Sequence, residues 1–184
     1  MIQENLEKIL NEINVVITKT KQEECDNLIN AILSANKIVW IWAGKVWMAT
    51  RWFIMRLWHF GYKAWFLWDT TVPHIWNGDL LLVVSWSWET QTIYDLVVIW
   101  KNNWAKIALV TWNPESRMWK LADVVLKVTA PSKTKEVDWF KSIQPMTTLN
   151  EQSLQIIFDA LVLEIIDKTW QSHDTMWARH SNLE

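Results

Sequence analysis

The chain has 184 residues, the size of one ordinary domain, and its 18 Lys+Arg against 20 Asp+Glu leave a net charge of −2. Near-neutrality excludes a protein that coats nucleic acid through a basic stripe, and 51% apolar with 21% charged residues excludes a disordered chain. No apolar run reaches the roughly 18 to 20 residues of a membrane-crossing helix, so no membrane partner is expected. The opening MIQENLEKIL carries acids where a secretory leader needs bases, and the single cysteine, Cys25, has no pairing partner within the chain; both point to the cytoplasm. One imbalance stands out. There are 3 Gly and 17 Trp, where average usage predicts about 13 glycines.

The predicted elements, in chain order, begin with two amphipathic helices over 3–18 and 21–34, set by Ile2, Leu6, Ile9, Leu10 and Ile13 and then by Leu28, Ile29, Ile32 and Leu33 at helical spacing. Five continuous apolar runs follow, KIVWIW (37–42), KAWFLW (63–68), DLLLVVS (79–85), AKIALVT (105–111) and DVVLKVT (123–129). Runs apolar on both faces are the mark of strands in a buried parallel sheet. Helical stretches alternate with them at 46–60, ending at Gly61 as a C′ residue, at 89–103, and at 114–122 with Pro114 at its first position. A polar loop over 130–146 leads to a long helix over 147–170, capped by Thr147 or Thr148, then a short helix and the tail RHSNLE. The alternation predicts right-handed crossovers and an α/β three-layer αβα sandwich on a five-stranded parallel sheet. It reads as one domain: N-terminal helices 1–35, a parallel core 36–130, a loop 131–146, and C-terminal helices and tail 147–184.

In such a sheet, ligands sit beyond the carboxyl ends of the strands where strand order reverses. Two loops qualify. Trp42-Ala43-Gly44-Lys45-Val46-Trp47 is a glycine-poor version of a dinucleotide loop, with Asp69 as the one acid near the end of the second strand. Ser85-Trp86-Ser87-Trp88-Glu89-Thr90 joins the third strand to a helix. Hydroxyls and free N–H groups at a helix N-terminus either hold a phosphate or simply cap the helix. His59, His74 and His173 show no metal-ligand spacing and Cys25 lies on a helix, so neither a metal site nor thiol chemistry is expected.

Read as S-x-S-x-E-T, residues 85–90 resemble the S-G-S-G-E-T loop of sugar-isomerase (SIS) domains. RWFIMRLWHFGYKA (51–64), NGDLL (77–81), NPES (113–116), Gln144-Pro145-Met146, Glu151-Gln152 and His180-Ser181-Asn182-Leu183-Glu184 are similar to the 6-phospho-3-hexuloisomerase branch of that family. The resemblance covers nearly the whole chain. It implies a flavodoxin-like winding of the sheet, a homotetramer, no cofactor, and interconversion of 3-hexulose 6-phosphate with fructose 6-phosphate in the ribulose monophosphate pathway of formaldehyde assimilation.

Carried over residue by residue, the resemblance implies that Ser85, Ser87 and Thr90 bind the sugar phosphate together with Glu89, Gly44 and Lys45. Val46 stands where the family has a serine, so one hydroxyl contact is absent. Glu151 is implied as the base that removes the C2 proton and returns one at C3 through a cis-enediolate. Its place in the first turns of a helix favours the ionised form through the macrodipole, while burial favours the neutral form. His180 is implied as a group that moves a proton between O2 and O3, in its own site or in that of a neighbouring subunit, to which the tail can bring it. Without the resemblance, Glu151 reads equally as a helix-stabilising acid and His180 as a solvated tail residue.

Trp42, Trp47, Trp68, Trp86, Trp88, Trp119 and Trp170 fall where the resembling proteins usually have glycine. Tryptophan in a left-handed conformation costs about 1–2 kcal/mol, and indoles at 86 and 88 compete with a phosphate for space. Three readings follow: a divergent member with packed tryptophans, a deliberately altered or misrecorded version of an ordinary isomerase, with Trp at many glycine positions at once, or a sugar-phosphate-binding module that has lost catalysis. An arabinose 5-phosphate isomerase is the alternative enzyme, although its usual pair of CBS domains has no room in this chain.

Overall fold

The computed structural model describes residues 1–85, 90–113, 116–131 and 140–183. Five parallel strands, β1 (Ile38–Ala43), β2 (Ala64–Phe66), β3 (Leu80–Ser85), β4 (Lys106–Thr111) and β5 (Val124–Lys127), form one sheet in the order β2-β1-β3-β4-β5. This is the flavodoxin-like winding. Helices α1 (Ile2–Ile17), α2 (Gln22–Leu33), α3 (Trp47–His59) and α5 (Thr148–Thr169) pack on one face, and α4 (Gln91–Asn102) packs on the other.

The apolar runs became strands because both of their faces are covered. Along β1, Ile38 and Trp40 point into the layer of α1, α2, α3 and α5, while Val39 and Ile41 point toward α4. Every residue of β3 is buried, so the run Leu80–Ser85 carries no polar alternation. On the four-helix side, Trp40, Phe53 and Phe158 form the aromatic centre. The Phe53 and Phe158 rings stack at 4.6 Å, which joins the middle of α3 to the middle of α5.

The second strand is shorter than predicted, Ala64–Phe66: the Leu67 N–H still donates to Trp40 O of β1 at 2.9 Å, and the chain then turns, with the Asp69 N–H donating to Phe66 O at 3.0 Å. The helix expected over 114–122 is absent from the described part of that segment, which holds only the single 3₁₀ turn Trp119–Leu121. Its apolar residues are too few for a helix face, and Asp123 instead ties the turn to the sheet by accepting the Ile107 N–H at 2.9 Å. Gly61 occupies the C′ position after α3 at φ +89°, as its place in the sequence predicted.

Candidate functional site

Strand order reverses between β1 and β3. After β1 the chain crosses to β2 through α3 on one face; after β3 it crosses to β4 through α4 on the other. Ala43 and Ser85, the last residues of the two strands, are paired in register, so the two strands end side by side. Strand ends at such a reversal border the crevice where open α/β sheets place ligands.

Gly44 and Lys45 follow β1 and are exposed. Gly44 is at φ +80° with open space where a side chain would stand, so its backbone is accessible from solvent. Val46 is buried at the start of α3. Ser85 is fully buried, and its hydroxyl has no hydrogen-bond partner among the described residues. Ser87 and Glu89, with Trp86 and Trp88, lie outside the described residues. Thr90 is the N-cap residue of α4; its carbonyl accepts from the Ile93 and Tyr94 N–H groups, and its side chain forms no cap bond.

Glu151 lies in the first turn of α5, where Thr147 occupies the N-cap position. The expected side-chain cap is not formed. The Thr147 hydroxyl instead donates to Glu151 Oε1 at 2.7 Å, which fixes one carboxylate oxygen and leaves Oε2 for other work. Two side chains beside it are fully buried: both amide atoms of Asn150 and the hydroxyl of Ser153 are without a hydrogen-bond partner among the described residues. The segment entering α5 is held by α1. The buried Glu12 carboxylate accepts from the Ser142 hydroxyl at 2.7 Å, the Ile143 N–H at 2.7 Å and the Gln144 side-chain amide at 3.1 Å. Met146 follows in the left-handed region at φ +60°.

The two ends of α5 fix the remaining geometry. Its middle lies on the middle of α3, and beyond its carboxyl end Arg179 reaches both Gln171 Oε1 and the His59 carbonyl, each at 3.2 Å. The two helices therefore run in the same direction. Since α3 leaves the carboxyl end of β1, Glu151 stands at the same edge of the sheet as Gly44 and Ser85. His180 does not. Its ring lies 5.1 Å from His59 at the far end of α3 and stacks on Trp177 at 5.1 Å. From Glu151 to Thr169, α5 alone covers about 27 Å at 1.5 Å per residue, so His180 and Glu151 of one chain belong to opposite ends of the molecule.

Sequence reading missed several groups at the site edge. Arg51, on the second turn of α3, places its guanidinium 4.9 Å above the Phe66 ring, and Arg117 lies 4.4 Å above Tyr94 while donating to Gln91 at the start of α4. Thr111 ends β4 and Asn113 follows it, both buried, with the Asn113 N–H donating to the Thr111 hydroxyl at 3.2 Å. Nothing in local spacing marks these residues; the sheet order brings them to one edge. Among the described residues no group of three His, Cys, Asp or Glu side chains is placed to hold a metal ion.

Residues 51–156 match the model of the SIS domain, and the chain belongs to this family of α/β domains. Its relatives narrow the branch. The chain is 33% identical over 181 residues to a 3-hexulose-6-phosphate isomerase of Bacillus subtilis, covering 98% of each chain, and 33% identical to one of Mycobacterium gastri, covering 100% of this chain and 92% of the other. A Methanococcus jannaschii structure, whose authors infer a function of 3-hexulose-6-phosphate isomerase, superimposes with a TM-score of 0.79 at 27% identity over 98% of this chain and 99% of that one.

Proposed function

We propose that this chain is an isomerase that interconverts 3-hexulose 6-phosphate and fructose 6-phosphate. The observation that carries the reading is chain-long similarity to relatives of that name, together with a buried serine that has no partner among the described residues and a threonine-oriented carboxylate at one edge of the sheet. The phosphate is held by Ser85, Ser87 and Thr90, with the N-terminus of α4 supplying backbone donors and positive potential. Gly44, Lys45 and Glu89 complete that end of the site.

The carbonyl moves between C3 and C2, so no electrons leave the substrate and the reaction needs no cofactor. Glu151 removes the C2 proton of the 3-ketose, the electron pair forms the C2–C3 double bond of a cis-enediolate, and O3 takes the charge. A proton then passes from O2 to O3, and the Glu151 carboxyl delivers its proton to C3 as the C2 carbonyl forms. The Thr147 hydroxyl holds Oε1 so that the other oxygen faces both carbons. His180 moves the proton between the oxygens and comes from another subunit, because its own chain keeps it at the opposite end. The active form in this reading is a homotetramer in the cytoplasm, serving formaldehyde assimilation through the ribulose monophosphate pathway.

The test couples hexulose-phosphate synthase to the protein and follows fructose 6-phosphate. Glu151→Gln is expected to lower kcat by about 10²-fold or more, the contribution of a positioned general base. Turnover at the parent rate in that variant removes Glu151 from its role, and binding of fructose 6-phosphate without turnover by the parent chain identifies a binding module instead.

A further inference from the structure

Two helices of this chain end in the same hydrogen-bond pattern with different residues at its critical position. After α3, the Tyr62 N–H donates to Leu57 O at 3.0 Å and the Gly61 N–H to Trp58 O at 2.8 Å, with Gly61 at φ +89°. After α4, the Ala105 N–H donates to Trp100 O at 3.3 Å and the Trp104 N–H to Lys101 O at 3.0 Å, with Trp104 at φ +61°. This ending needs a left-handed residue, which is usually glycine and sometimes asparagine. A Cβ there crowds the following carbonyl. α5 ends in the same region on Trp170, at φ +54° and ψ +28°.

Packing does not offset the strain. Trp104 is 78% exposed and Trp170 is 91% exposed, and six other tryptophans, Trp47, Trp52, Trp58, Trp68, Trp76 and Trp177, are each at least 39% exposed. All three glycines of the chain have positive φ. At positions 104 and 170 tryptophan thus occupies glycine's conformational niche, in a chain with 17 Trp and 3 Gly.

We infer that the cell which makes this protein places glycine at positions 104 and 170, and that one cause repeated along the message accounts for the excess of tryptophan over glycine, 17 Trp beside 3 Gly, while a tryptophan packed in the core such as Trp40 need not share it. The cause is a codon that one genetic code reads as tryptophan and the cell's own code reads as glycine. UGA fits chemically minimal recoding: it differs from the tryptophan codon UGG in its last base and from the glycine codon GGA in its first. The same reading at Trp86 and Trp88 removes two indoles from the candidate phosphate loop and lets its backbone approach an anion closely. The inference rests on backbone conformation and exposure and is independent of the proposed reaction.

Mass spectrometry of the protein purified from its own cells tests it. The expected intact mass falls below 21.9 kDa by the difference between a tryptophan and a glycine residue at each recoded position, and tandem spectra of the tryptic peptides 102–106 and 169–179 read glycine at 104 and 170. Tryptophan at these two positions overturns the inference, whatever is found elsewhere. In the chain synthesised with tryptophan, Trp104→Gly and Trp170→Gly are each expected to raise Tm by about 2–4 °C; a fall in both removes the conformational basis.

Discussion

At the scale of single residues, the candidate base is defined by one hydrogen bond. The Thr147 hydroxyl that would cap α5 is spent on Glu151 Oε1, so helix stability is exchanged for carboxylate orientation. Thr147→Val is expected to lower kcat in the coupled assay by several-fold while leaving KM for fructose 6-phosphate within about twofold, as for a contact that acts on the base and not on substrate. An unchanged kcat separates Thr147 from the chemistry. Cys25 lies outside this site. Burial, helped by the Asp26, Glu24 and Glu164 carboxylates, pushes its thiol from 9.0 up to about 11. Because the folded chain holds this proton more tightly than the unfolded one, the contribution to stability is fully present below pH 9.0 and is lost as pH rises toward 11. Urea unfolding of the parent chain and of Cys25→Ala across that window checks the sign: the parent is expected to lose stability relative to the variant as pH rises.

At the scale of elements, the N-terminal end of α5, which carries the candidate base, depends on α1. Glu12 gathers three donors from residues 142–144, just before left-handed Met146 and the first turn of α5. Glu12→Ala leaves these donors without their acceptor, an expected loss of about 1–3 kcal/mol, measured by urea unfolding. Amide exchange across 142–151 is expected to accelerate more than exchange in β3, whose residues are all buried. Equal acceleration in both places means that Glu12 supports the whole fold and not this segment. No sequence pattern announces the contact, because 130 residues separate Glu12 from Ser142. Most strand and helix positions, by contrast, were legible, since apolar runs needed two covered faces and Gly61 needed a left-handed helix ending; the helix expected over 114–122 was not formed in its described part, and strand order was implied only by the resemblance.

At the scale of the whole molecule, the separation of His180 from Glu151 predicts complementation between chains. Glu151→Gln and His180→Gln are each expected to be nearly inactive alone, yet mixed oligomers of the two are expected to recover turnover, since a site formed by Glu151 of one chain and His180 of another is intact in the mixture. No recovery in verified mixed oligomers removes His180 from catalysis. The apolar face of α1 is suited to such assembly: Ile2, Leu6 and Leu10 are exposed at 75%, 46% and 62%. No helix among the described residues is long and apolar enough to cross a membrane.

The sequence alone determined the alternation of strands and helices, because the period of its apolar residues is a local property. It also marked Ser85, Thr90 and Glu151, through a resemblance that the family match and the relatives bear out for the fold and the branch. The Trp–Gly imbalance was visible from the start, but composition alone left its meaning open. Tertiary structure placed two of those tryptophans in left-handed helix endings and in solvent, where neither conformation nor packing favours them. It also put Ser85 and Glu151 at one edge, gave Glu12 its three donors and carried His180 to the far end. These facts are set by which surfaces the folded chain brings together across long stretches of sequence, and local spacing carries no record of that.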